Sequence, residues 1–300
     1  MIKDRYPHLG LGRICRLFGL TRQAYYKHIK YQKKVITEDH IVLQLIRSIR
    51  KDHPRMGGRK MYFMIREEMD RLNIKMGRDA FFDLLSSEYL LVQQKRRKHI
   101  TTNSKHWYKK YPNLIREITP DRPNQIWVSD ITYIKTKQEF LYLFLITDAY
   151  SKKILGYRLA KNLDSTHAVN SLQDAIKNAC QPVLGLIHHS DRGIQYCSKE
   201  YIDLLNKHAI AISMTENGDP LENPIAERIN GILKDEYLDD KSNNQSDLDI
   251  KQLSYAIEKY NRLRPHLSCE MLTPEAAHRG HGNLKRMWKN YYRKRVNLEV

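Results

Sequence analysis

Three acidic residues, Asp130, Asp191 and Glu227, are of a type and placing that could hold a metal ion. Asp130 lies within Ile126-Trp127-Val128-Ser129-Asp130-Ile131-Thr132, where an unpaired buried carboxylate is costly and demands a partner or a metal. Asp191 follows an apolar stretch ending at Ile187, after His188, His189 and Ser190 and before Gly193. That is the place of a strand-end loop, where α/β sheets carry ligand groups. Glu227 falls in a helical pattern whose apolar stripe is Ile225, Ile229 and Ile232, and about 200° of helical turn sets it away from Ile225. Lys234, seven residues on, returns to the face of Glu227, about 10 Å along the axis. Two Asp on neighbouring strands and a Glu on an adjacent helix are hard oxygen ligands suited to Mg²⁺, with Mn²⁺ as a substitute. Two such ions about 3.5–4 Å apart are what phosphodiester chemistry uses. Taken alone, acids separated by 61 and 36 positions fit solvated or helix-capping roles as well.

The elements that must position these acids are legible as patterns. Ile126–Ile134, Phe140–Ile146 and Ile154–Leu159 alternate in the manner of strands joined by short turns, an antiparallel meander. A helix is predicted over Ala168–Ala179, a short buried strand over Val183–Ile187 and a helix over Tyr201–Lys207. A fifth strand follows at Ala209–Ser213, then helices at Pro224–Tyr237 and Leu248–Asn261. The order β-β-β-α-β-α-β-α makes this region α/β, a mixed five-stranded sheet flanked by helices.

The preceding region reads as all-α. Leu11, Ile14, Cys15 and Phe18 mark one short helix, Gly19 a turn, and Thr21 the cap of a second helix through His28. Residues 9–28 thus have the form of a helix-turn-helix, whose second helix presents Arg22, Gln23, Tyr26 and Lys27 for DNA. A small helical domain with a wet polar face is the other reading. Residues 38–98 form a second unit. A helix over Ile41–Ile49 is followed by a break at His53–Gly58, helices from Arg59 and from near Arg78, and a strand candidate at Tyr89–Gln93. The run Lys95, Arg96, Arg97 and Lys98 closes it. Helix, helix, strand and basic turn suggest a winged variant with Arg59 and the basic run on phosphates; a solvated linker is the alternative for the run. The boundaries read as 1–98 for the basic helical region, 99–122 for a linker, 123–280 for the α/β core and 281–300 for a basic tail.

Charge follows these divisions. The 300 residues carry 52 Lys or Arg against 34 Asp or Glu, a net charge of +18. Residues 1–114 hold 26 basic against 10 acidic side chains and residues 281–300 hold six against one, so the middle is nearly neutral. Basic ends around a carboxylate-richer centre fit arms that hold a polyanion. The tail sets Lys285, Arg286, Lys289, Arg293, Lys294 and Arg295 among Trp288, Tyr291 and Tyr292, a mixture suited to distorted DNA or to a disordered basic tail. Cys15, Cys180, Cys197 and Cys269 have no zinc-knuckle spacing and read as reduced thiols. No signal peptide or membrane span is expected, and a cytoplasmic setting follows.

Four stretches carry a family resemblance: Trp127-Val128-Ser129-Asp130-Ile131-Thr132-Tyr133; His189-Ser190-Asp191-Arg192-Gly193-Ile194-Gln195-Tyr196; Glu222-Asn223-Pro224-Ile225-Ala226-Glu227 with Leu233-Lys234-Asp235-Glu236; and Tyr260-Asn261-Arg262-Leu263-Arg264-Pro265-His266 with Thr273-Pro274. With 35 residues between Asp191 and Glu227 and a Lys seven beyond the Glu, the chain resembles the OrfB transposases of the insertion-sequence-three family. Their core is of the retroviral-integrase, ribonuclease-H-like type. His53-Pro54-Arg55-Met56-Gly57-Gly58-Arg59 resembles the upstream helical segment of that family. The resemblance implies that Asp130, Asp191 and Glu227 form the metal-binding catalytic triad with two Mg²⁺ ions. It implies a reaction in which 3′ ends are nicked and strands transferred. The partners implied are the terminal inverted repeats, target DNA, further copies of the chain and an OrfA-type product or fusion. Lys234 is expected at a phosphate, and Arg264 and His266 are candidates for the same role, although Pro265 beside them more plainly ends a helix. Ser129 where Thr is commoner, Glu222 where Asp is usual before the Asn, and Glu216 where a basic residue is frequent are departures. A ribonuclease-H-like nuclease and a non-catalytic DNA-binding descendant of a transposase are the competing classes. Asp148 is expected to cap a turn, and Asn223 the helix of Glu227.

Overall fold

A computed structural model describes residues 8–92, 108–136, 139–179, 183–216, 223–238 and 250–287. The chain divides into two compact units, Met1–Asp52 with Met56–Gln93, and His53–Arg55 with Gln94–Val300.

The first unit is helical. Helix α1 spans Leu11–Leu17 and α2 spans Arg22–Asp52. Gly19 in the left-handed region ends α1, and the Thr21 hydroxyl accepts from Ala24 N at 3.0 Å, the expected cap. Helix α2 continues for 31 residues instead of stopping near His28. The polar stretch Lys30–Lys34 that interrupts the apolar periodicity is a solvated length of helix, with no Gly or Pro to break it. Helices α3 (Gly58–Arg71) and α4 (Arg78–Ser87) complete the unit. Its core joins Val42 and Ile46 of α2 to Met61 and Ile65 of α3 and Phe81 and Leu85 of α4. The strand expected from Tyr89 does not form among its described residues. Tyr89 is left-handed and 94 % exposed, and residues 90–92 are irregular. Residues 93–107, including Lys95, Arg96, Arg97 and Lys98, lie outside the described residues.

The second unit is built on five strands: β1 (Ile126–Lys135), β2 (Phe140–Asp148), β3 (Ile154–Ala160), β4 (Ile187–Ser190) and β5 (Ala211–Met214), in the order β3-β2-β1-β4-β5. The pairs β1–β2 and β2–β3 are antiparallel, while β4 lies parallel to β1 and to β5. This is the mixed sheet read from the sequence. Helices α5 (Ser165–Asn178) and α7 (Lys199–Lys207) bury Leu172, Ala175, Tyr201 and Leu205 with Trp127 and Phe144 on one face. A single-turn helix, α6 (Ile194–Cys197), precedes α7. On the other face, α8 (Pro224–Ile232) and α9 (Ile250–Leu263) bury Ile229, Ile232, Leu253 and Ile257 with Leu143 and Leu145. A β-carbon on Gly156 of β3 would stand 2.0 Å from the Ser171 carbonyl oxygen, so glycine lets α5 lie directly on the sheet.

Strand β4 differs from expectation. The apolar run Val183–Leu186 is a turn, with Gly185 left-handed, and the strand is the polar Ile187-His188-His189-Ser190. A polar strand survives in the middle of a sheet because its side chains are paired. His188 Nε2 lies 2.6 Å from Ser129 Oγ and 2.8 Å from Tyr201 Oη, and His189 Nδ1 lies 2.8 Å from Ser213 Oγ. Asp191 therefore follows the strand's last residue directly. Among the described residues no helix is long and apolar enough to cross a membrane.

Candidate active site

Alternation along β1 sets the site. Trp127 points into the α5/α7 core and Ser129 bonds His188 on that side, so Asp130, Thr132 and Ile134 face α8. Asp130 Oδ1 accepts from Ile131 N at 2.9 Å and Oδ2 from Asn230 Nδ2 of α8 at 2.6 Å. Its carboxyl is pushed up to about 7, first by burial and next by the charge of Asp191. The Asn230 and Ile131 bonds oppose that rise, and the charge of Glu227 adds to it.

Asp191 leaves β4 into a loop that its own side chain closes, Oδ1 accepting from Gly193 N at 3.0 Å. A β-carbon on Gly193 would come within 2.9 Å of that oxygen, so a side chain there would displace the Asp191 carboxylate. Glu227 stands exposed in the first turn of α8 while Ile229 and Ile232 are buried, the division that the helical spacing gave. The positive end of the helix dipole favours a carboxylate there. Asn223 is the N-cap residue of α8, but its side chain makes no capping bond. Its amide reaches across to the Ser129 carbonyl at 2.9 Å.

After Ile232 the helix widens into a π-helical turn, Leu233–Leu238, a form frequent at functional sites. Lys234 on that turn donates to Thr132 Oγ1 at 2.9 Å, two residues along β1 from Asp130. Asp130, Asp191, Glu227 and Lys234 are thus carried on β1, the end of β4, α8 and its extension. Asp191 and Glu227 both act electrostatically on Asp130, yet among the described residues no three His, Cys, Asp or Glu side chains are gathered closely enough to enclose a metal ion.

Arg22, Gln23, Tyr26 and Lys27 lie exposed on α2 and Arg59 exposed on α3. Arg264 and His266 do not lie at the surface. The Arg264 guanidinium is fully buried and grips Glu236 through Nε and Nη2, both at 2.7 Å, and Nη1 lies 2.9 Å from His266 Nε2. The chain after α9 turns inward, so this motif ties the π-turn to α9 rather than offering charge to a phosphate. Asp148 accepts from Ser151 N and Oγ and from Asn124 N, closing the turn after β2 as expected. Glu216 pairs with Arg116 at 2.6 Å. Asn230 was missed by sequence reasoning, although its place one turn beyond Glu227 was a usable signal.

The chain is similar to several known proteins. Two family models, each described as an integrase core domain, match residues 120–220 and 208–274. An insertion element IS600 31 kDa protein of Shigella sonnei is 31 % identical over 267 residues, covering 88 % of this chain and 96 % of that one. The transposase for insertion sequence element IS629 of the same organism is 28 % identical over 272 residues, 88 % of each. The HTLV-2 integrase catalytic core, solved in complex with magnesium, is 22 % identical with a TM-score of 0.43, covering 54 % of this chain and all of that one.

Proposed function

The chain belongs to the insertion-sequence-three family of integrase-core transposases, and from that premise we propose that it cuts the ends of its own mobile element and joins the 3′ strands to target DNA. The observation that carries the chemistry is Asp130. A carboxylate held on a central strand, pushed up to about 7 by burial and by Asp191 and Glu227, is a concentration of negative charge that a divalent cation relieves. The donor set is all hard oxygen, which suits Mg²⁺ and, as a substitute, Mn²⁺. Asp130, Asp191 and Glu227 would hold it, with two ions expected. Bound there, the metal would sharpen an attacking water or 3′-hydroxyl and stabilise the departing oxygen.

The chain's own residues do the rest. Lys234, steadied on Thr132, brings a positive charge beside the acids for a phosphate. The Gly193 turn fixes one Asp191 oxygen. The exposed Arg22, Gln23, Tyr26 and Lys27, with Arg59, engage the element's inverted repeats. Residues 1–98 are assigned to end recognition, 123–280 to chemistry and 281–300 to further DNA contact. Partners on this reading are end and target DNA, further copies of the chain and an OrfA-type product.

The test is cleavage and joining of a duplex carrying the element's terminus, with Mg²⁺, for the intact protein beside Asp191→Asn and Glu227→Gln. Both variants should lose cleavage and keep end binding. Cleavage at the rate of the unaltered protein would refute the catalytic assignment. End binding without cleavage in every form would favour the non-catalytic DNA-binding alternative.

A further inference from the structure

Two asparagines bracket Glu227 on α8, Asn223 four residues before it and Asn230 three after. Both are buried, at 6 % and 4 % exposure. Each spends its amide N–H on β1, Asn223 on the Ser129 carbonyl and Asn230 on the Asp130 carboxylate. Each also leaves its side-chain oxygen buried without a hydrogen-bond partner among the described residues. A buried acceptor left unpaired is costly, and an ordered water or an ion can complete it. Nitrogen and oxygen share one planar amide, so the bond to Asp130 also fixes the direction of the Asn230 oxygen.

We propose that Asn223 and Asn230 are positioning residues for the acidic site. Together they clip the Glu227 helix to the Asp130 strand. Asn230 also orients the Asp130 carboxylate toward the divalent cation that the acids would hold. This rests on the reading of the acids as a cation site. The two amides have different duties. The Asn223 bond goes to backbone and sets the spacing of helix and strand. The Asn230 bond goes to a charged oxygen and bears on cation affinity directly. Partners that orient metal-binding carboxylates typically govern affinity by 10–100-fold.

The experiment is titration of the full chain with MgCl₂ and with MnCl₂, followed by calorimetry and by the thermal midpoint, for the unaltered protein, Asn230→Ala, Asn230→Asp, Asn230→Ser and Asp191→Asn. Asn230→Ala should bind either ion about tenfold more weakly. Asn230→Asp, which adds a fourth carboxylate, should bind more tightly while being less stable without metal. A purely structural role would lower stability in both and leave ion affinity unchanged, and that result overturns the proposal. If Asn230→Ala does not fold, Asn230→Asp and Asn230→Ser decide by the same criterion. Loss of ion binding in Asp191→Asn with unchanged binding in every Asn230 variant overturns the proposal alone. No ion-dependent stabilisation of the unaltered protein overturns it together with the reading beneath it.

Discussion

Removing the charge of Asp130 should stabilise the metal-free protein, and the gain should depend on pH in a way that follows from the fold. The carboxyl rises from an ordinary value of 3.8 to about 7, so between those values the folded chain holds a proton that the unfolded chain has lost. Stability contributed by this group is fully present below the unfolded value and is lost as pH climbs through the folded one. The ceiling is about 4 kcal/mol, from 1.36 kcal/mol for each tenfold change in proton affinity. Asp130 is not sealed from solvent, which screens part of that, and about 2 kcal/mol is the expected loss. Asp130→Asn keeps the shape and loses the titration. In buffer with EDTA, urea unfolding of the two proteins at pH 4.5 and pH 7.5 should show the variant's advantage growing by about 2 kcal/mol, then levelling at higher pH. Saturating Mg²⁺ should close the gap by stabilising the unaltered protein only. An advantage independent of pH, or one that grows as pH falls, would refute the electrostatic account of this strand.

Three other changes probe separate parts. Arg264→Met leaves Glu236 largely buried without its bidentate partner and should cost about 3–5 kcal/mol in urea unfolding, with end-DNA affinity of the folded fraction unchanged. Gly156→Ala drives a methyl group into the Ser171 carbonyl. It should prevent accumulation of folded protein, read as loss of near-ultraviolet dichroism and of soluble yield. Arg22→Ala with Lys27→Ala should weaken DNA binding and flatten the dependence of log affinity on log salt by about 1.8, from about 0.9 for each phosphate no longer neutralised. An unchanged slope would remove that face of α2 from the DNA interface.

The strands of the meander could be read from sequence because β-branched and aromatic residues alternate and turns punctuate them. The expected and observed limits of β1, β2 and β3 differ by at most two residues. Strand β4 was displaced because hydrophobicity was the only signal used. Val183–Leu186 is apolar yet turns, while His188, His189 and Ser190 are polar yet buried, and the hydroxyl partners of the two histidines include residues 24 and 59 positions away. Arg264 misled for a related reason. A basic residue just beyond a helix looks exposed until Glu236, 28 residues earlier, is seen to face it. The elements carrying Asp130, Asp191 and Glu227 were legible from the neighbours of those acids. The bond of Asn223 to the Ser129 carbonyl was not legible, since an Asn capping a helix and an Asn gripping a strand have the same local sequence.

Asp130 and Asn230 meet across 100 positions of chain, and that separation has a consequence during synthesis. A growing polypeptide that has reached residue 216 has both aspartates and all five strands, but nothing of Glu227, Asn230 or Lys234. On the reading proposed above, a ribosome translating beside the chromosome displays an unarmed product for most of its passage. On the same reading, a frameshift or premature stop between α4 and α8 would leave a fragment that keeps Arg22, Lys27 and Arg59 for DNA and lacks Glu227 for chemistry. Such a fragment would compete with the finished protein for the same ends, so damaged copies of the element would restrain the intact ones.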